Sequence, residues 1–440
     1  MTGPVWGLLG PATLFSERRT RTLGLGAAVR TFNDLAVPGL GGVWFGKQLF
    51  LAILGVVVAE QARNAGRRIQ NIETANAIEA LACWLALNSN DWKPDPRLRG
   101  ATKMQGKTDL SFANVRKSNF YIIQPMRMAT VQPLLALALA EASSERFNAF
   151  HCTSHGLSFV NTACSDFNPC YYSKGILEHL VGWAKDEHNN VKSSNNLQKA
   201  LSPLVPLSRS AREFLRERLV QNTGDKGQRR RAALAWVDDL HHISQPSITW
   251  ETKPKTLEDD HWDDLHAGAL FFTVRDAAIS VLDRLEAHIA HQSAQRFSLD
   301  EPIPGPIASE MESLRRQAQV FLDKRHDPSP GELARAFCRE CIDSSDANLI
   351  VNLVRRDDRV LRLRGRVVLP GAAFRGDQTQ HPNAVSAPDE EGAETSDPLT
   401  IAWPVGISYR LNNLFLLNLD LHGKLDEWLG RSTTNTGDSQ

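Results

Sequence analysis

The chain has 440 residues, 42% of them apolar, which is ordinary for a globular protein and enough for a sizeable core. This length predicts two or three domains. Lysine plus arginine and aspartate plus glutamate number 50 each, so no overall field draws the chain to a polyanion. Any attraction to nucleic acid must come from local segregation of charge.

The N-terminal part of the sequence indicates a buried core and no membrane partner. The first four residues provide no basic flank before an apolar run, as a secretory signal would. The most apolar stretch, 39–59, has 11 uninterrupted apolar residues, from Leu49 to Ala59, whereas a membrane span needs about 20. We therefore expect a buried helix here. Six irregularly spaced cysteines fit a reducing cytoplasm.

Helical periodicity recurs along the rest of the chain. A second helix is expected over 72–87, where Ile78, Leu81 and Leu85 form an apolar stripe. Further helices are expected over 132–142, 175–185, 210–220, 229–241, 260–291, 309–324 and 407–429. The sequence thus predicts a mainly α, multi-domain helical protein with a small α+β part near the C-terminus.

The segment 91–128 has a different character, because prolines and glycines interrupt regular structure. Between Lys93 and Arg127, eight basic residues stand against two acidic ones, and Phe112, Phe120 and Tyr121 are interleaved. A strand-binding groove holds phosphates with cations and stacks bases on rings. The candidate ligands are Arg97, Arg99, Lys103, Lys107, Arg116 and Lys117. The alternative is a surface loop whose rings fold back into the core, and 120–123 has the pattern of a buried strand.

Cysteine and histidine cluster in the middle of the chain. Cys152, His155, Cys164 and Cys170 are of the types that zinc prefers, and the first two have a permitted spacing. We keep these four as candidate ligands of a structural zinc ion. A helix over 157–164 would separate the two pairs, so ordinary buried and loop cysteines are the favoured alternative.

Residues 258–266 collect carboxylates and imidazoles. On a helix, Asp260 and Asp264 share a face, as do Asp263 and His266, and hydrolytic metal sites use such groups. Acidic residues at a helix start are stabilising by themselves, which is the favoured explanation. No phosphate-cradling, nucleophile-elbow or dinucleotide-binding motif occurs in the sequence, so an enzyme is not favoured.

The most informative stretch is 329–370. Ser329 and Pro330 suit the start of a helix that runs to Cys341, and a second helix is expected over 349–355. The run after Asp358 then alternates leucine with arginine. Gly365 permits a reversal into an apolar strand over 367–369, so the pattern predicts a short hairpin.

Two helices followed by a basic hairpin resemble the winged-helix variant of helix-turn-helix domains. The resemblance covers 329–370 and implies groove contacts by the second helix, from Asn348 to Arg356, and phosphate contacts by the hairpin. Six arginines stand here against Asp357 and Asp358, a local net charge of +4. The candidate ligands are Arg355, Arg356, Arg359, Arg362, Arg364 and Arg366. The alternatives are a protein-docking unit and a solvated edge protected by charge.

The expected organisation has six parts. They are an N-terminal helical domain with the basic loop (1–130), a central helical domain (131–325), a winged-helix-like module (326–375), a disordered acidic linker (376–398), a C-terminal helical segment (399–430) and a disordered tail (431–440). The favoured function is a non-enzymatic nucleic-acid-binding subunit of a larger cytoplasmic complex, with DNA or RNA and other proteins as partners. The alternatives are a protein-interaction scaffold without nucleic acid and a metal-dependent hydrolase built on 258–266.

Overall fold

A computed structural model describes residues 21, 23–187, 191, 194–221, 224–240, 248–376 and 401–435. Over these residues the protein forms 17 helices and five short strands. The prediction of a mainly α protein with a small α+β part is confirmed. The predicted acidic linker lies outside the described residues from 377 onward, and so does the predicted tail from 436.

The helices are numbered in chain order. Their bounds are α1 (Gly26–Ala36), α2 (Gly46–Asn64), α3 (Asn71–Ser89), α4 (Ala101–Met104), α5 (Phe112–Val115), α6 (Val131–Ala136), α7 (Ser154–Cys164), α8 (Ile176–Ala184), α9 (Asn195–Leu201), α10 (Arg209–Val220), α11 (Asp225–Leu240), α12 (Asp259–His291), α13 (Gly305–Lys324), α14 (Leu333–Asp343), α15 (Asp346–Asp357), α16 (Tyr409–Leu421) and α17 (Leu425–Asn435). The strands are β1 (Ala140–Ala142), β2 (Phe150–Cys152), β3 (Phe297–Ser298), β4 (Leu361–Arg364) and β5 (Val367–Pro370). Most predicted helices are present, with ends shifted by a few residues.

Four local predictions need correction. The single helix predicted over 407–429 is two helices, because α16 ends at Leu421 and α17 begins at Leu425. The helix predicted over 132–142 ends at Ala136, and its last residues form β1, which pairs antiparallel with β2. The strand predicted over 120–123 is a loop. Helix α17 continues to Asn435, five residues into the predicted tail. For 132–142 and 120–123 the local apolar pattern was compatible with more than one structure.

The chain divides into two compact units. The larger unit contains the described residues of 27–272, 326–332 and 401–435, and the smaller unit contains those of 21–26, 273–325 and 333–376. This division differs from the predicted domains. No boundary between units lies near 130, because Met126 and Leu134 on either side of it belong to one apolar core.

Helix α2 is buried on every side within the larger unit. Every residue from Leu49 to Ala59 is buried, and α2 packs against α3, α7 and α8. A helix without a polar stripe has no face to present to water, so it is stable only inside a protein core. The predicted buried helix is confirmed.

The packing of α2 on α3 leaves no space at Gly55. A Cβ atom on Gly55 would lie 2.5 Å from the Cα atom of Ala75 in α3. We expect Gly55→Ala to lower the free energy of unfolding by about 2 kcal/mol, because the two helices must separate. The control is Gly430→Ala in α17, where a Cβ atom meets nothing within 4 Å and alanine should stabilise by about 0.5–1 kcal/mol. Urea denaturation of both variants measures this, and equal effects would contradict the packing argument.

The smaller unit contains a three-stranded sheet of order β3-β5-β4, with both pairs antiparallel. Leu361 and Val368 are buried on one face of this sheet, whereas Arg362 and Arg364 are exposed. Gly365 has a φ of 62° in the turn, a conformation that glycine adopts without strain. The predicted hairpin is therefore confirmed.

Helix α12 is the one described helix that is long and apolar enough to cross a membrane. This test uses length and composition only, and 61% of its most apolar stretch is buried inside the protein. The core helix of a soluble protein passes the same test, so a single such helix is weak evidence for a membrane span.

Candidate functional site

The outer face of the hairpin in the smaller unit presents arginine side chains to solvent. Arg362 and Arg364 alternate along β4 with Leu361 and Leu363, so both point away from the packed face. Opposite them in β5 lie Leu369 and Val367. Within the described residues, neither arginine has a side-chain hydrogen bond or an ion pair. Their guanidinium groups are open to an external anion.

Two more exposed arginines lie shortly before the hairpin in the sequence. Arg355 is in the last turn of α15 and Arg359 is in the connection to β4. No ion-pair partner for either side chain occurs in the part of the chain that the structure describes. Arg355, Arg359, Arg362 and Arg364 are hereafter called the arginine surface.

The other two candidate arginines of this stretch are engaged inside the protein. Arg356 is half-buried, pairs with Glu340 at 2.6 Å and lies 5.1 Å from the ring centroid of Phe337. Arg366 is exposed but pairs with Asp300 at 2.6 Å. The sequence does not show which of the six arginines form ion pairs. In the structure, two of them do, and the other four have no ion-pair partner within the described residues.

The basic segment of the larger unit does not form the groove predicted for it. Phe112, Phe120 and Tyr121 are at most 3% exposed, so their rings cannot stack on bases. The alternative, in which the rings fold back into the core, is the arrangement observed. The large apolar side chain that this loop exposes is instead Ile123, at 89%.

Four of the six candidate cations in that segment have partners within the protein, and one of them, Lys117, is exposed and donates to Oδ1 of Asn114 at 3.3 Å. Arg97 is buried and pairs with Asp95 at 2.9 Å and Asp426 at 2.5 Å. Lys107 donates to the backbone oxygen of Phe120 at 2.9 Å. Arg116 lies 3.8 Å from Glu73. The exposed candidates are Arg99, Lys103 and Lys117.

The four candidate zinc ligands do not come together. In the described residues, which include all four, no group of three or more His, Cys, Asp or Glu side chains could hold a metal ion. Cys152 ends β2 and donates to the backbone oxygen of Thr153, while His155 is exposed on the first turn of α7. Cys164 is buried at the far end of α7. The intervening helix separates the pairs, so the predicted zinc site does not form.

Two carboxylates of 258–266, those of Asp260 and Asp264, form ion pairs with an arginine. Arg229 pairs with Asp264 at 2.5 Å and with Asp260 at 2.8 Å. The other oxygen of Asp264 lies 2.7 Å from Nε2 of His326. His266 stacks on Trp250, with ring centroids 4.7 Å apart. Acidic groups that a guanidinium already neutralises have little attraction left for a metal ion, so this arrangement does not favour the hydrolase.

A cleft of about 330 Å³ lies elsewhere in the larger unit. Three carboxamides (Gln61, Asn161 and Asn168), Glu178 and the thiol of Cys164 line it together with apolar side chains. Burial raises the pKa of Cys164 to about 12, so the thiol is protonated and unreactive at neutral pH. The cleft therefore lacks an activated nucleophile.

Two buried charged groups were not found from the sequence. Glu79 in α3 is 2% exposed and accepts hydrogen bonds from the Tyr121 hydroxyl and from backbone N–H groups of Met126 and Arg127. Lys47 in α2 is also 2% exposed, and burial lowers its pKa to about 8. A charged residue inside an apolar stretch was the available signal, but the partners of both are distant in sequence.

Comparison with known proteins gives no relative. No protein family, no curated protein and no solved structure matches this chain. The winged-helix resemblance therefore stays a prediction. Function is inferred below from the exposure and contacts of this chain's own side chains.

Proposed function

We propose that the protein is a non-enzymatic nucleic-acid-binding subunit, which contacts phosphates through the arginine surface of its smaller unit. The observation that supports this is the set of four exposed guanidinium groups that lack an ion pair within the described residues. A guanidinium presents several N–H donors in a fork that fits phosphate oxygens. An arginine without a carboxylate partner can bind phosphate without first breaking an internal ion pair.

The proposed contact is with the backbone of the nucleic acid. Phosphate contacts hold a protein on its nucleic acid but carry no direct sequence information. The net charge of the chain is zero, so binding would depend on this local surface and would weaken steeply with salt. We further propose that the protein acts within a cytoplasmic complex, a setting in which its six free cysteines would stay reduced.

The test is the salt dependence of duplex DNA binding. Replacing Arg355, Arg359, Arg362 and Arg364 with alanine removes up to four phosphate contacts. The slope of log affinity against log salt should then flatten by up to about 3.6, at about 0.9 for each contact. The loss should be similar for unrelated DNA sequences.

A matched variant controls for net charge. Arg67, Arg209, Arg284 and Arg316 are exposed or half-exposed and paired with acidic residues, and replacing them with alanine changes the net charge equally. This control should retain most of the salt slope. Two results would show that the arginine surface does not bind phosphate. One is an equal flattening of the salt slope in both variants, and the other is an unchanged slope in the first variant with an intact fold. The rival function, protein docking, predicts weak DNA binding in the parent protein and loss of a protein partner in the first variant.

A further inference from the structure

Arg21 is buried in the smaller unit among three carboxylates. Its side chain is 5% exposed, its guanidinium pairs with Glu286 at 2.7 Å and with Asp283, and its Nε atom lies 3.6 Å from Asp357. The side chains of Glu286 and Asp357 are at most 1% exposed. Buried carboxylates are costly unless a cation compensates them. Arg21 therefore supplies a charge on which this part of the unit depends.

The two buried carboxylates hold the two ends of the hairpin. Oδ2 of Asp357, the last residue of α15, accepts from the backbone N–H of Leu361 at 3.0 Å, where β4 begins. Oε1 of Glu286 accepts from the backbone N–H groups of Arg375 at 3.0 Å and Gly376 at 3.2 Å, shortly after β5 ends. The entry and the exit of the hairpin are thus tied to groups that share one arginine.

The segment that carries Arg21 is fixed to the helix before the hairpin. Leu23 and Leu25 are fully buried. Arg356, in the last turn of α15, donates from Nη1 to the backbone oxygen of Leu23 at 3.0 Å, and its other guanidinium nitrogens bind Glu340. The described residues of 21–25 therefore pack as an integral part of the smaller unit.

Loss of the Arg21 charge would affect the backbone at the two ends of the hairpin, at 361 and at 375–376. These two ends are called the root of the hairpin. Burial raises the pKa of Asp357, and the positive charge of Arg21 opposes that change. Without Arg21, the carboxylates of Asp357 and Glu286 repel each other across a buried space. The strain can be relieved by protonation or by movement of the chain ends that these carboxylates hold.

We infer that Arg21 is a positioning residue for the proposed binding surface, because it holds the root of the hairpin that presents Arg362 and Arg364. This inference rests on the proposed function, although Arg21 itself does not touch nucleic acid. Docking of the segment and binding of nucleic acid are then coupled, and the coupling is reciprocal. Bound nucleic acid should stabilise the docked segment by the same free energy by which the docked segment strengthens binding.

The experiment compares the full-length chain with Arg21→Met and with the double variant Arg21→Met, Asp357→Asn. In Arg21→Met, hydrogen exchange should show lost amide protection over 361–370. Duplex DNA affinity should fall about tenfold, within the usual range of coupling between two sites. The salt slope should flatten by about 0.9 for each arginine that disengages. In the double variant, the new side-chain amide oxygen at position 357 still accepts from Leu361 without a charge, so both protection and affinity should recover.

Two controls separate positioning from general stability. Arg315→Met removes another half-buried arginine of the same unit, which pairs with Asp346 at 2.7 Å. It should lower Tm without a selective loss of hairpin protection. Arg21→Lys keeps the positive charge but loses the forked guanidinium, so it should fold and show intermediate amide protection in the hairpin. This variant replaces Arg21→Met if that protein is too unstable to study.

The positioning role of Arg21 and the binding of nucleic acid are tested by separate measurements. Unchanged hairpin protection in both Arg21→Met and Arg21→Lys would overturn the positioning role. A parent chain that does not bind duplex DNA would overturn the proposed function, while the exchange measurements would still decide what Arg21 holds. Hairpin protection lost equally in Arg315→Met would also overturn the inference, because the effect would then be general.

Discussion

Glu79→Ala is expected to lower the free energy of unfolding by about 4 kcal/mol, because three hydrogen-bond donors, two of them buried, lose the acceptor that they share. The Tyr121 hydroxyl donates to Glu79 at 3.0 Å, and the backbone N–H groups of Met126 and Arg127 donate at 2.6 and 3.0 Å. Tyr121 is 3% exposed, so water cannot replace the lost acceptor there. Each buried donor left unpaired costs about 1–3 kcal/mol.

The matched variant is Glu79→Gln, which keeps the size of the side chain and one acceptor oxygen. Its amide nitrogen would face a backbone N–H group, so we expect a loss of about 2 kcal/mol, between the parent and Glu79→Ala. Urea denaturation at neutral pH measures both variants. Losses below about 1 kcal/mol for Glu79→Ala would show that the loop can rearrange and satisfy its donors elsewhere.

Sequence patterns correctly predicted the features that depend on residues close together in the sequence. The continuous apolar run of α2 favours a buried helix, and the alternation of leucine and arginine over 361–364 favours a strand with one exposed face. The same patterns could not give the division into units. Residues 401–435 belong to the larger unit although they follow the smaller one in sequence, and a sequence read from end to end carries no direct signal of such a return.

The candidate site was predictable as a stretch but not residue by residue. A count of charges treats Arg97 and Arg362 alike. In the structure, Arg97 pairs with Asp426, 329 positions away in sequence, whereas Arg362 is exposed. Which arginines are available to a phosphate depends on contacts that only the folded chain brings together. The aromatic residues of 112–121 were misleading for the same reason, since their burial follows from packing on distant helices.

Burial of Lys47 is expected to make the free energy of unfolding depend on pH. Its ammonium group donates to the backbone oxygen of Ala200 and lies 3.5 Å from that of Lys199, both in the last turn of α9. It also lies 5.3 Å from the ring centroid of Phe50. Burial lowers the pKa of Lys47 from 10.5 to about 8, although negative charge at Asp420 would favour the charged form.

The sign of the effect follows from proton binding. Between pH 8 and 10.5 the unfolded chain binds more protons at this lysine than the folded chain does, so the free energy of unfolding rises with pH. The contribution is fully present above pH 10.5 and is lost as pH falls through 8. The change in pKa corresponds to about 3 kcal/mol. At neutral pH the parent therefore carries the whole cost of the buried charge.

Lys47→Met isolates this term, because methionine fills a similar volume without a titrating group. The absolute stability of the variant also reflects the carbonyl groups of Lys199 and Ala200 that lose their donor, so the pH dependence is the decisive quantity. From pH 7 to 10.5, the stability of the parent should rise by about 3 kcal/mol relative to Lys47→Met in urea denaturation. The control is Lys93→Met, which removes the charge of an exposed lysine, and its curve should differ from that of Lys47→Met. Parallel curves for Lys47→Met and the parent would show that water reaches the ammonium of Lys47 in the folded protein.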